Sequence, residues 1–159
     1  MAKIIQDYEI NEETIALIPA KSIEYDTIVL EENAKYYVKQ TPINIINKGC
    51  LEGGSDYKGR RRAVTHLTGT VNKVPIPINP HLNLYAFPTH SPKHRECSWL
   101  FYHHIRKLTP ESPHETTVTF TNDDSIQMNV SYSILEKQIY RTSYCVIRFS
   151  NQPMPLVDQ

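Results

Sequence analysis

Short runs of β-branched and aromatic residues, broken by polar or proline-bearing turns, fill the first forty positions of the chain. Tyr8-Glu9-Ile10, the polar Asn11-Glu12-Glu13 and Thr14-Ile15-Ala16-Leu17-Ile18 predict a hairpin closed by Pro19. Thr27-Ile28-Val29-Leu30 and Lys35-Tyr36-Tyr37-Val38 repeat the pattern across Glu31-Glu32-Asn33-Ala34, with residue types that suit a pleated, half-buried surface. Pro42 ends this meander. Ile43, Ile45 and Ile46 then form a short element whose type the pattern leaves open, followed by a glycine-bearing stretch from Gly49 to Gly54 that reads as a loop.

From Ser55 to Gly69 the sequence has the start and stop signals of a helix, although Gly59 costs about 1 kcal/mol relative to alanine in a helix interior. Val74-Pro75-Ile76-Pro77-Ile78-Asn79-Pro80 is extended, because each proline fixes its own φ and turns its predecessor away from helix. Leu82 to Pro88 predicts a strand and Thr89 to Glu96 a polar loop. Ser98 to Ile105 predicts a longer strand with Trp99, Phe101, His103 and Ile105 on one side. Thr116–Thr121, the turn Asn122-Asp123-Asp124 and Ser125–Val130 make the clearest hairpin. Ser133-Ile134-Leu135-Glu136 fits a capping box, and Ile134/Leu135, Ile139, Thr142 and Cys145/Val146 recur at helical spacing behind it. The expected architecture is a single α+β domain over residues 1–149, mainly antiparallel β-sheet with a C-terminal helix, followed by a flexible tail at 150–159. A chain of 159 residues can bury roughly 70% of its unfolded surface, enough to hold a core without disulfides or a structural metal.

Charge changes the picture. The net charge is zero, yet its distribution is uneven. Residues 1–57 hold five lysines against ten acids, residues 58–107 hold nine Lys/Arg against Glu96 alone, and residues 108–159 hold three cations against six acids. That asymmetry points to a polyanion-binding face on a domain kept neutral as a whole. Its sharpest element is Lys58-Gly59-Arg60-Arg61-Arg62, preceded by Gly53-Gly54-Ser55-Asp56-Tyr57. Arginine's planar fork pairs bidentately with phosphate, and a narrow minor groove attracts it electrostatically. A second basic site lies at Lys93-His94-Arg95, with Arg106-Lys107 after the following strand. Candidate DNA contacts are therefore Lys58, Arg60, Arg61 and Arg62, supported by Lys93 and Arg95; the alternative is a solvated basic turn with scattered surface charge. Lys137 and Arg141, on the polar side of the predicted final helix, are weaker candidates.

Other chemistry finds less support. The N-terminus has only Ile4-Ile5 before polar residues return, which predicts neither a signal peptide nor a membrane span. Three widely spaced cysteines, Cys50, Cys97 and Cys145, read as reduced thiols of a cytoplasmic protein. His90, His94 and Cys97 are close in sequence, but the paired half of a zinc motif is missing, and no metal or cofactor is expected. No GxSxG, P-loop, GxGxxG or HExxH motif occurs, so no catalytic residues are assigned. Tyr85, Phe87, Phe101 and Tyr102 on adjacent strands offer a base-stacking platform, which would suit RNA or single-stranded DNA; core packing is the commoner use of such residues.

Several separated blocks resemble the ComK family of competence transcription factors: Gly54-Ser55-Asp56-Tyr57-Lys58-Gly59-Arg60, Leu84-Tyr85-Ala86-Phe87-Pro88-Thr89-His90-Ser91, Glu96-Cys97-Ser98-Trp99-Leu100, Thr117-Val118-Thr119-Phe120-Thr121-Asn122 and Glu136-Lys137-Gln138-Ile139-Tyr140-Arg141-Thr142. They are collinear with the family from about Tyr8 to about Phe149. The resemblance implies a transcription activator of DNA-uptake genes that binds paired AT-rich boxes of duplex DNA from the minor groove, as a dimer or tetramer, without a cofactor. It also implies a cytoplasmic location, nucleoid-associated when bound to DNA. Family members continue beyond the point where this chain ends, and that extension is tied to recognition by a proteolytic adaptor. A shortened, non-activating paralogue that acts through protein contact with a longer relative is therefore the alternative.

Overall fold

A computed structural model describes residues 3–150, so the expectation of a flexible tail falls almost wholly outside the described residues. A seven-stranded sheet runs in the order β1-β4-β3-β2-β7-β6-β5, built from β1 (Ile4–Ile5), β2 (Thr14–Pro19), β3 (Thr27–Glu31), β4 (Lys35–Val38), β5 (Ile76–Asn79), β6 (Leu84–Pro88) and β7 (Trp99–Phe101). All its pairings are antiparallel except β1 with β4. A second sheet, β10-β9-β8, comprises β8 (Ile105–Ser112), β9 (Glu115–Phe120) and β10 (Ser125–Met128). Three helices complete the domain: α1 (Pro42–Glu52), α2 (Tyr57–Thr68) and α3 (Tyr132–Phe149). This is the α+β, mostly antiparallel architecture with a C-terminal helix that the sequence predicts.

The large sheet is buried on both faces. On one side Leu17, Val29, Ile76, Ile78, Trp99 and Phe101 pack with Ile45, Ile46 and Cys50 of α1 and Val64 of α2. On the other, Ile15, Phe87 and Leu100 meet Val118 and Phe120 of the small sheet and Leu135 of α3. Central strands β6 and β7 are thus apolar on both sides, so they read as continuous apolar runs. Full burial of side chains such as Trp99, Phe87 and Leu100 contributes about 1.5–3 kcal/mol each before entropy is charged against it.

Several boundaries differ from expectation, each for a physical reason. Tyr8–Ile10 is not the first arm of a hairpin. Its two apolar side chains are buried, but the segment is held by side chains: the Tyr8 hydroxyl donates to the buried Glu31 carboxylate, and the Tyr8 N–H donates to Gln40 Oε1 at 3.0 Å. Positions 42–52 form a helix rather than a short element and a loop. Thr41 Oγ1 caps it by accepting from Asn44 N–H, and Pro42 stands at its first turn, where the missing N–H is not needed. Gly49 lies inside this helix because a Cβ there would come within 2.8 Å of Ile10 Cδ1. The predicted long strand at Ser98–Ile105 is broken by a 3-10 turn at Tyr102–His104, which carries the chain from the large sheet into the small one. Trp99 and Phe101 do share a side, whereas Ile105 packs in the other core. The capping box at Ser133 is also displaced. Ser131 is the N-cap of α3, accepting from Ile134 N–H at 3.3 Å, and Tyr132 opens the helix.

Candidate nucleic-acid interface

The arginine run folds into the first half of α2. Asp56 caps the helix, its carboxylate accepting from Gly59 N–H at 2.7 Å, and the Tyr57 N–H donates to Asn47 Oδ1 at 2.9 Å. The Tyr57 ring meets Trp99 edge-on, with centroids 6.2 Å apart. α1 and α2 are joined by residues 53–56, so the chain holds a consecutive helix pair with a short glycine-bearing turn. The turn sits directly on β5: a Cβ on Gly53 would lie 2.5 Å from the Ile78 carbonyl oxygen, an approach open only to glycine.

At 3.6 residues per turn the run splits into two faces. Tyr57, Arg60 and the buried Val64 turn toward the sheet, while Lys58, Arg61 and Arg62 are exposed. Arg60 Nη2 donates to the Gly53 carbonyl at 2.6 Å and its Nε is buried, so this guanidinium ties α2 back to the inter-helix turn. The other three cations form an outward ridge at i, i+3 and i+4. The electrostatics of the helix do not favour them there. They sit near the positive end of the helix dipole, and like charges four apart cost a few tenths of a kcal/mol per pair. Among the described residues, an ion pair joins Arg106 to Asp123 at 2.5 Å, His104 Nδ1 stands 3.7 Å from the Glu32 carboxylate, and neither contact involves α2. Between Tyr57 and Arg95 the sequence contains no acid at all.

The ridge continues into the segment after α2. Arg61 Nη2 donates to the Val71 carbonyl at 3.3 Å, and Thr65 Oγ1 donates to the Thr70 carbonyl at 2.7 Å. α3 fixes the far end of this segment, where the buried Gln138 amide donates to the Lys73 and Pro88 carbonyls, both at 2.9 Å. Arg148 Nη1 reaches across to the Leu67 carbonyl at 2.8 Å. Lys73 then faces the β6–β7 loop, lining with Asn72, His90, His94, His114 and Ile134 an open groove of about 770 Å³. His90 and His94 stack at 4.9 Å, and burial together with the neighbouring His94 holds the His90 pKa below its ordinary value.

Of the sequence candidates, Lys58, Arg61 and Arg62 share one exposed ridge and Arg60 points inward. Lys93 and Arg95 are exposed on the β6–β7 loop, with Arg95 beside a separate groove that Lys21 also lines. Arg141 is half-buried, donating to Gln138 Oε1 at 3.2 Å and so lying next to the Lys73 segment. Lys137 is exposed on the outward side of α3. Sequence reasoning missed Lys73 and Arg148. The acid-free run from 57 to 95 was the available signal for Lys73, whereas Arg148 is recruited only by the packing of α3 on α2.

The stacking platform does not exist as a surface. Tyr85 is 1% exposed and Phe101 2%, and Phe87 is fully buried, so no base can reach their faces. Cys97 is also buried, its thiol donating to the His90 carbonyl at 3.3 Å, and it shares no ligand sphere with the stacked histidines. Among the described residues no group of three or more His, Cys, Asp or Glu side chains is placed to hold a metal ion, and no helix is long and apolar enough to cross a membrane.

A curated relative, the competence transcription factor of Bacillus subtilis (strain 168), is 29% identical over 149 residues, covering 93% of this chain and 78% of the relative. No solved structure matches the chain. The family model described as ComK protein matches residues 5–153, which take in both sheets and all three helices, and the chain belongs to that family.

Proposed function

We propose that this chain is a DNA-binding transcriptional regulator of competence genes that binds AT-rich duplex boxes through the minor groove as a multimer. The observation that carries the reading is the ridge of Lys58, Arg61 and Arg62: three exposed cations with no acidic partner among the described residues, near the end of a helix whose dipole does not favour them. The Lys73 segment follows α2 and faces the β6–β7 loop, which carries the further exposed cations Lys93 and Arg95. The kinship with a protein named competence transcription factor supplies the regulatory half of the reading. Minor-groove recognition asks for arginine and lysine drawn to the enhanced negative potential of AT-rich tracts, and it does not need base-edge pairing. Burial of Tyr85, Phe87 and Phe101 removes the stacking surface that a single-strand binder would use.

The test is competitive binding to an AT-rich box duplex, a GC duplex of equal length and the separated strands, with and without a minor-groove-binding dye. The expected result is preference for the AT-rich duplex and displacement by the dye. Equal affinity for single strands, or indifference to the dye, overturns the groove assignment. Failure to bind any nucleic acid overturns the function.

A further inference from the structure

We infer that the groove between the β6–β7 loop and the segment leading into α3 is a phosphate cradle, in which Lys73, His90 and His94 donate to a backbone phosphate of the bound duplex. Four separate stretches of chain line it: the segment after α2, the β6–β7 loop, the β8–β9 turn and the lead into α3. They gather Lys73, His90, His94 and His114 with the side-chain amides of Asn72 and Asn129, and no carboxylate is among the lining residues. Glu96 lines a separate groove. An ammonium, imidazoles and amides without an acid make a surface suited to an anion.

The ring nitrogens decide which kind of ligand fits. The Glu96 N–H donates to His94 Nδ1 at 3.0 Å, so that nitrogen holds a lone pair and the proton of the neutral ring sits on Nε2. Thr89 does the same for His90. Its buried hydroxyl oxygen accepts from the Ser98 N–H at 3.0 Å and stands 2.9 Å from His90 Nδ1, to which its own proton is then directed. Both rings therefore keep an Nε2–H donor, and among the described residues neither donor has a protein partner. The rings stack with planes 17° apart, which steadies each against the other. Burial, then the neighbouring His94, hold the His90 pKa below its ordinary value and keep this ring neutral at pH 7. A metal ion at Nε2 would need the ring proton on Nδ1, where the Glu96 N–H already points at His94, so the pair donates to oxygen rather than ligating a cation. The duplex is the source of that oxygen because the cradle adjoins the ridge. Arg61 Nη2 donates to the Val71 carbonyl, and Lys73 follows two residues later, at most about 7 Å away between Cα atoms. Duplex DNA carries a charge about every 1.7 Å of axis, so a duplex seated on Arg61 brings phosphates to Lys73.

This inference rests on the duplex binding proposed above and adds a contact to it. The experiment has two readouts on the full chain: proton–nitrogen correlation spectra of the histidine rings, free, with AT-rich duplex and with inorganic phosphate, and duplex affinity of variants over a salt series. The free chain should show His90 and His94 as Nε2–H tautomers, with both Nε2 signals moving when duplex is added. His94→Gln sets its amide near the Nε2 position and should bind within about twofold of the parent. His94→Asn sets its amide near Nδ1 instead and should weaken binding about tenfold with the salt slope unchanged, because a neutral ring releases no counterion. Lys73→Ala should lower the slope by about 0.9, the share of one phosphate contact. Parental affinity in His94→Asn together with a parental slope in Lys73→Ala overturns the cradle and leaves duplex binding standing. Nε2 signals that move with inorganic phosphate but not with duplex overturn the assignment to DNA. An Nδ1–H tautomer on either ring removes the donor on which the inference stands. A parent chain that binds no duplex overturns the proposed function and this contact together.

Discussion

Four neighbouring cations in one helix should behave in two different ways. Lys58, Arg61 and Arg62 face solvent, while Arg60 donates to the Gly53 carbonyl and is half-buried. On B-DNA each cation paired with a phosphate contributes about 0.9 to the slope of log K against log salt. Replacing the three ridge residues by alanine should therefore reduce the slope by about 2.7 per bound chain. Taking 1 M salt as the point where this contribution vanishes, affinity at 0.1 M should fall about 500-fold, or about 3.7 kcal/mol. Arg60→Ala removes an inward hydrogen bond from a charged donor. It should cost about 2 kcal/mol of stability, a Tm drop of about 4–8 °C, with little change in slope. Arg106→Ala, whose cation is paired with Asp123 on the small sheet, is the control and should change neither quantity much. The assay is fluorescence anisotropy on a labelled AT-rich duplex from 50 mM to 400 mM salt, with thermal melts of each variant. An undiminished slope in the triple variant, or a slope loss in Arg60→Ala equal to that of Arg61→Ala, would refute the division of the run into a ligand face and a structural face.

Other positions give independent tests. Gly53→Ala should destabilise the fold by about 2–3 kcal/mol in urea denaturation, because the new Cβ would meet the Ile78 carbonyl oxygen, a backbone atom that cannot swing away. Gln138→Leu should cost about 2–3 kcal/mol by leaving the Lys73 and Pro88 carbonyls without their donor, and it should weaken DNA binding by freeing the Lys73 segment. Stability should also depend on pH at both ends. Burial pushes the Cys50 and Cys145 thiols up to about 12 and raises Cys97, so above about pH 8.5 the unfolded thiols lose protons that the native ones keep, and stability falls as pH rises. Burial lowers the pKa of His90 and His103, so below about pH 6.5 the unfolded state binds the extra protons and stability falls as pH drops. Urea midpoints from pH 5 to pH 10 should trace a plateau near pH 7–8. An alkaline limb that stays flat would contradict the burial of the thiols.

Local patterns carried much of this fold. The β3–β4 and β9–β10 hairpins were legible because each pairs alternating β-branched residues across a polar turn, with both partners close in sequence. Helix α2 was legible from its bounding residues: the start read near Ser55 falls one residue before the Asp56 cap, and Gly69 closes the last turn as read. The failures share a cause. Tyr8–Ile10 alternates as a strand does, but α1 and Glu31 compete for its side chains and win. Gly49 reads as a breaker until Ile10 and Ile78 leave no room for a Cβ, and the run from Trp99 to Ile105 alternates smoothly through the 3-10 turn that moves it to another sheet.

The same division holds for the site. Sequence alone determined that one stretch of a neutral chain is strongly basic, because charge is counted without coordinates. It also placed the blocks shared with the ComK family, because collinearity is a property of order. Only the tertiary structure decided which of those charges can meet a ligand. Helical rotation of 100° per residue turns Arg60 inward and its neighbours outward, and packing of α3 sets Arg148 on the Leu67 carbonyl of α2 and Gln138 on the Lys73 carbonyl. It also decided that Tyr85 and Phe101 belong to the core, since a strand covered on both faces shows no side chain to solvent.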